Sequence, residues 1–115
     1  MMFWVPKQYC NVWDEFYLSC DDDTLITLDS RLDLLLERGN QCRRPVTAHL
    51  EDGIFELRAK NARMLFCFGP EKKIIFLHGI IKKTSRVSPK DISTAKQHRK
   101  RIQENEVDVN EIENP

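Results

Sequence analysis

Residues 54–68 read IFELRAKNARMLFCF, and their reading decides the fold. Ile54 to Ala59 alternates, with Phe55, Leu57 and Ala59 on one side and Glu56 and Arg58 on the other. Arg63 to Phe68 alternates too: Met64, Phe66 and Phe68 share one side, Arg63, Leu65 and Cys67 the other. A period of two is that of a strand with one face on a core. The short link between the runs makes them a hairpin. A turn centred between Lys60 and Asn61 sets Ala59 opposite Ala62 and Arg58 opposite Arg63. Like charges directly opposite are destabilising. An anion between them would relieve that, and a guanidinium fork suits a phosphate. The plainer account is that Glu56 neutralises Arg58 and both point to solvent. A turn centred on Asn61 would instead put the two arginines on opposite faces, because one residue of slip reverses every side chain.

Toward the C-terminus, Gly69-Pro70-Glu71-Lys72 is a turn, and residues 74–81 (IIFLHGII) are almost continuously apolar. That is the signature of a central strand covered on both faces. The strand leaves the core at Lys82-Lys83-Thr84. Strand parity puts His78 and Lys82 on one face and Lys83 on the other unless the strand bulges. A bare lysine pair is commonly a solvated strand end, and a lone histidine in an apolar strand is commonly a hydrogen-bonded core residue. Ser88-Pro89-Lys90-Asp91 starts a helix, with Ser88 at the N-cap, Pro89 at N1 and Asp91 at N3. It runs from 89 to about 104, with a thin stripe of Ile92, Ala95, Arg99 and Ile102. Lys90, Lys96, His98, Lys100 and Arg101 fall on its other faces, and residues 96–101 (KQHRKR) form the densest basic patch. Contact with a nucleic-acid backbone, a solvated face and a dock for the acidic C-terminus all fit that patch. Residues 104–115 (ENEVDVNEIENP) show no packing pattern beyond Val107, Val109 and Ile112, and the expectation is a disordered acidic tail after a single domain over 1–103.

Toward the N-terminus, residues 40–53 read as a connector punctuated by Pro45 and Gly53. Before it, Leu25, Leu28, Leu32 and Leu35 follow helical steps, Asp21 to Thr24 supplies caps and first-turn acids, and Gly39 is a natural C′ residue. Residues 23–38 are therefore an amphipathic helix. Residues 11–20 suit a short helix, and residues 2–5 a brief edge strand or anchor stopped by Pro6. The fold class is α+β: a small antiparallel sheet, with a three-stranded meander at its centre, N-terminal helices packed on one face, and a C-terminal helix, all helices being expected on one side.

The chain's 115 residues carry eighteen basic and eighteen acidic side chains. The distribution is uneven. Residues 1–37 hold two basic and eight acidic residues, 38–103 sixteen and five, and 104–115 none and five. The central block, at +11, is the footprint of a polyanion partner unless the acidic blocks neutralise it in the fold. No window nears the roughly 18 apolar residues of a membrane span, and the opening MMFWVPKQYCNVWDEF has no secretory pattern. Cys10, Cys20, Cys42 and Cys67 match no zinc pattern, and His49, His78 and His98 are too dispersed to complete one. The expectation is reduced thiols in a cytoplasm, with no metal and no cofactor. Phosphate-loop, dinucleotide, HExxH and GxSxG motifs are absent from the sequence.

In order along the chain stand EDGIFELR (51–58), RMLFCF (63–68), FLHGIIKKT (76–84), then Ser88-Pro89-Lys90 and a basic helix containing Ala95. This series resembles the RelE/ParE toxin superfamily, in its HigB-like, phage-derived branch, over roughly residues 24–103. The resemblance implies a type II toxin with a cognate antitoxin partner, acting as an endoribonuclease that cleaves mRNA without a metal, usually on the ribosome. It implies that Arg58, Arg63, Lys82 and Lys83 hold and polarise the scissile phosphate. His78 is a possible proton-transfer residue. Lys60, Arg86, Lys90, Lys96, Arg99 and Lys100 would bind RNA. The sequence departs from the pattern in lacking any tyrosine after Tyr17 and the usual aromatic at Ile80.

The chemistry suits 2′-OH attack on the adjacent phosphate, which needs charge stabilisation, a base and a proton donor. Lys82 or Lys83 would act as base if neighbouring cations lowered its pKa. The alternative is a non-catalytic toxin-like binder, either a ParE-like gyrase inhibitor or a degenerate toxin. A free-standing RNA-binding module would need aromatic side chains on the open sheet face, where Arg, Glu, Leu and Cys stand instead. The acidic tail is a candidate mimic of an antitoxin covering the cationic face.

Overall fold

The computed structural model describes residues 3–83 and 86–113. Met2 of the N-terminal run and Thr84 of the Lys-Lys-Thr string lie outside them. The elements in order are β1 (Val5–Tyr9), α1 (Val12–Ser19), α2 (Asp22–Arg38), a single 3-10 turn at Gly39–Gln41, β2 (Thr47–Glu51), β3 (Ile54–Ala59), β4 (Ala62–Gly69), β5 (Lys73–Ile81), α3 (Pro89–Gln103) and β6 (Val109–Glu111). They make an α+β fold around one six-stranded sheet, ordered β2-β3-β4-β5-β1-β6. Every pairing is antiparallel except β1 with β5. No described helix is long and apolar enough to cross a membrane.

The hairpin forms in the expected register, with Ala59 opposite Ala62 and Arg58 opposite Arg63. Lys60 takes φ 56° in its turn, a region that L-residues rarely enter. One sheet face carries Leu57, Met64, Phe66 and Phe76, covered by Trp13 of α1 and Leu28, Leu32 and Leu35 of α2. Asp21 caps α2 by accepting from the Thr24 N–H at 2.8 Å. Gly39 ends the helix at φ 55°, and a Cβ there would sit 1.9 Å from the Trp4 indole. Glycine is thus required twice over, for conformation and for space.

The second face carries Ile54, Leu65, Cys67, Ile75 and Leu77 and is covered by Ala95, Ile92 and Ile102 of α3. The helices therefore lie on both faces, not one. The apolar halves of β4 and β5 demand this: burying only one face would leave Leu65, Ile75 and Leu77 in water, at a cost of about 1.5–3 kcal/mol each. It also means that Leu65 and Cys67 are under α3, not on an open face.

Register shifts between Leu65 and Phe66 on β4, where Leu65 pairs with His78 and Phe66 with Phe76. Leu77 is the extra residue of this bulge. Before it, Ile74 and Phe76 face α1 and α2; after it, His78 and Ile80 face α3, beside Leu65 and Arg63. The Lys82 N–H extends the ladder by donating to the Asn61 carbonyl at 2.7 Å.

Three other expectations are corrected. Pro6 does not stop a strand but lies inside β1, opposite Ile74. The Val5 N–H points to β5, donating to the Lys72 carbonyl at 2.8 Å, so the position of the missing Pro6 N–H faces the other way. There β6 pairs only from Lys7 onward, and the proline forfeits no ladder bond. The connector over 40–53 contains β2, an edge strand with its own bulge at His49/Glu51. The acidic tail, expected to be disordered, forms β6 on the outer side of β1. Buried Gln8 holds it, donating to the Glu111 carbonyl at 2.9 Å and to Asp14 Oδ2 at 2.7 Å, while the Glu113 N–H donates to Asp14 Oδ1 at 2.9 Å.

A cationic cleft as candidate functional site

The start of α3, the end of β5 and the β2–β3 pair enclose a cleft of about 630 Å³. Arg44, His49, Arg58, Lys82 and Arg86 line it, with Glu51 and Glu56 among them and Val87, Pro89 and Ile92 as an apolar wall. Arg58 comes from β3 by the alternation that points Phe55 and Leu57 into the opposite core. Lys82 arrives on the same face because of the Leu77 bulge. Arg86 and the wall come from the approach to α3, fixed by the Ser88 cap, whose Oγ accepts from the Asp91 N–H at 3.2 Å.

The opposed arginines are held by a carboxylate of the protein itself. Glu56 and Arg63 are 6% and 4% exposed. Arg63 Nε lies 3.3 Å from Glu56 Oε1, and Arg58 Nε 4.0 Å from Glu56 Oε2. The Arg63–Glu56 contact is ionic without hydrogen-bond alignment, and among the described residues neither of these two buried atoms has a hydrogen-bond partner. Arg63 Nη1 donates instead to the Lys60 and Ala62 carbonyls, at 2.5 and 2.9 Å. Arg63 is thus turned inward, while Arg58 is half-buried and lines the cleft. Burial holds the Arg63 guanidinium below its usual pKa and Glu56 opposes that; an arginine stays charged all the same.

Lys82 is half-buried. Its amine is held below the ordinary lysine value, by burial first, then by the charge of Arg63, with Glu56 opposing and Arg58 adding a further push. A lysine beside two guanidiniums and out of full solvent gives up its proton more readily.

The remaining expected residues are scattered. Lys83 is exposed and does not line the cleft. His78 sits under α3, with Nε2 2.9 Å from Asp91 Oδ1, and ties β5 to the helix start. Asp91 is held below its usual value by the Ser88 hydroxyl and then by His78. Lys96 of the basic run donates to Glu51 and, at 2.8 Å, to Asp52; Arg99 Nη1 donates to the Asp52 carbonyl. Those hydrogen bonds raise the Lys96 pKa. Lys96 and Arg99 thus clamp the β2–β3 turn, while Arg101 of the same patch meets the acidic tail, with Nε 3.7 Å from Glu106 Oε2. Lys60 lies 3.8 Å from Asp23 of α2. Lys90 and Lys100 are exposed along α3. Among the described residues no group of three His, Cys, Asp or Glu side chains is placed to hold a metal.

Three residues of the site escaped the sequence reading. Glu56 was legible only as a neutraliser of Arg58, and its burial between two arginines depends on α3. Arg44 and His49 come from the stretch read as a connector, and no motif marks them.

Residues 17–100 match the family described as Phage derived protein Gp49-like (DUF891). No curated protein matches the chain.

Proposed function

Starting from the chain's membership of the phage-derived Gp49-like family, within the RelE/HigB-like toxin superfamily, we propose that it is the toxin of a type II toxin–antitoxin pair and an endoribonuclease that cleaves mRNA. The family is toxin-like, which fits a cognate antitoxin as partner. The observation that carries the catalytic reading is one cleft holding Arg58, Lys82 and Arg86, in which the Lys82 amine is pushed toward its neutral form.

In this reading an RNA phosphate lies between Arg58 and Arg86. Neutral Lys82 takes the 2′-OH proton, and the 2′-oxygen attacks phosphorus. The P–O5′ bond breaks, leaving a 2′,3′-cyclic phosphate, and the 5′-oxygen leaves with a proton from solvent or a cleft cation. Arg58 and Arg86 neutralise the charge gathering on the phosphoryl oxygens, each oriented charge contributing on the order of 100-fold in rate. Arg63 does not reach the substrate in this scheme. It keeps the Lys82 pKa low and, with Glu56, sets the position of Arg58. Lys83 and His78 have no part in the chemistry. Docking on the ribosome would draw on the cationic cleft and on Lys90 and Lys100, and would weaken with salt.

A second reading, a non-catalytic toxin-like binder such as a gyrase inhibitor or a degenerate toxin, is favoured by one observation: the His78 proton-transfer candidate is engaged with Asp91 away from the cleft. Induced expression of the wild type beside an Arg58→Ala/Lys82→Ala variant separates the two, with growth and mRNA 5′ ends followed in both. Arrest with new cleavage ends, both lost in the variant, supports the nuclease. Arrest without cleavage points to another target such as gyrase. No arrest from a folded protein points to a degenerate toxin.

A further inference from the structure

Beside the cleft, around the edge of β2, is a second hollow of about 660 Å³. Asn40, Thr47, His49 and Phe55 line it, with Arg43 and Arg44 at its margin. Arg44 and His49 line both cavities, so the two adjoin at the sheet edge. His49 is opposite Phe55 in the strand register, and the two rings meet edge to face with centroids 4.9 Å apart. Both therefore stand on the face opposite Glu56 and Arg58. The Phe55 ring is backed by Phe66 and Phe68, at 5.6 and 5.1 Å between centroids. The His49 ring is exposed but fixed at one nitrogen, Nε2 accepting from the Gly53 N–H at 3.2 Å. Arg43 is partly committed, with Nη1 donating to the Asn40 and Cys42 carbonyls. As an edge strand, β2 leaves one side of its backbone outside the sheet.

We propose that this hollow is a nucleobase subsite: single-stranded RNA whose phosphate occupies the Arg58/Lys82 cleft passes Arg44, crosses the β2 edge, and places the neighbouring base against the His49 and Phe55 rings. This rests on the reading of the cleft as an RNA site. The chemistry is that of a stacking platform beside a cationic channel, in which aromatic faces take the base and guanidiniums follow the backbone. Exposed Asn40 offers polar groups to the base edge, and Arg44, which lines both hollows, stands where the strand must turn from one face to the other.

The test uses the full chain and a fluorescein-labelled nine-nucleotide RNA with 2′-O-methyl riboses, which cannot be cleaved, together with probes made abasic at each position in turn. Wild type, His49→Ala, His49→Phe and Arg58→Ala are compared by anisotropy at pH 8, with thermal melts as a check on folding. The expected result is that His49→Ala weakens binding between about fivefold and 150-fold, the range for losing one base–aromatic stack. His49→Phe restores most of it, and one abasic probe binds wild type and His49→Ala alike. Arg58→Ala also weakens binding and lowers its salt dependence, which His49→Ala leaves unchanged. If Arg58→Ala loses affinity while His49→Ala binds every probe as wild type does, the subsite is wrong and the RNA cleft stands. If wild type binds no probe, or Arg58→Ala binds as wild type does, the RNA reading of the cleft fails and the subsite with it.

Discussion

Glu56 Oε1 stands 3.3 Å from Arg63 Nε with both side chains buried, and this pair is the internal counter-charge for the cationic face of the hairpin. Arg58 and Arg63 are direct cross-strand neighbours, an arrangement that costs stability without an anion nearby. Glu56 supplies the anion from within, drawing Arg63 inward and leaving Arg58 for the cleft. It also works against the two arginines at Lys82. One carboxylate thus sets the position of one guanidinium and tempers the acidity of an amine.

Removing one partner of that pair should be costly. Glu56→Ala leaves Arg63 buried without its counter-charge, and a loss of about 3–5 kcal/mol is expected in urea unfolding. The Glu56→Leu/Arg63→Met double variant should recover most of it, since apolar replacement of a buried pair is commonly neutral or better. A double variant no more stable than Glu56→Ala would show that the two side chains are not coupled.

The low Lys82 pKa fixes the sign of a pH effect. If neutral Lys82 is the base, kcat/KM for RNA cleavage rises with pH through the Lys82 pKa, below the ordinary 10.5. Arg63 disfavours the protonated amine, so Arg63→Met raises that pKa and moves the rising limb to higher pH. Lys82→Ala should cost at least about 100-fold and abolish the limb. A rising limb that stays in place in Arg63→Met would remove Arg63 from this role.

The strand of the tail, β6, is at the edge of the sheet opposite β2. With strands about 4.8 Å apart, β6 stands roughly 20 Å from β3, about two Debye lengths or more at physiological salt. Deleting residues 104–115 should therefore leave RNA affinity within about twofold. It should lower the melting temperature, because Gln8 and Asp14 lose the Glu111 and Glu113 backbone partners. A large gain in affinity on deletion would restore the idea of the tail as an antitoxin mimic.

Thiol chemistry should report the fold. Burial pushes the Cys67 thiol up to about 11, and Cys42 is buried in the core on the other face of the sheet. In native protein at pH 8, iodoacetamide should label exposed Cys10 readily and spare Cys42 and Cys67 until urea is added, as mass spectrometry would show. In alkali the sign follows from linkage. The unfolded chain ionises Cys67 near 9 and the folded chain only near 11, so across that window the native state holds more protons and stability falls as pH rises.

Much of the architecture is legible along the chain because local signals and tertiary demand agree. The Leu28, Leu32 and Leu35 stripe and its Asp21 and Gly39 ends mark α2 to within a residue. Ser88-Pro89 marks α3 in the same way. The Lys60-Asn61 turn sets the Arg58–Arg63 register. Elements that depend on a distant partner were not legible. Thr47–Glu51 and Val109–Glu111 are too short and too polar to read as strands, and each exists by pairing with a neighbour.

The sequence alone determined which cations the chain has, and that Arg58 and Arg63 share a face if the turn is centred between Lys60 and Asn61, because side chains alternate along a hairpin and one residue of slip reverses them. Only the tertiary structure decided which of them meet. The Leu77 bulge carries Lys82 onto that face, since one extra residue reverses parity for the rest of a strand. The packing of α3 buries Glu56 between the arginines and turns Lys96 and Arg99 to the β2–β3 turn. Neither a bulge nor the face a helix covers is encoded in local periodicity; both come from how two layers share one sheet.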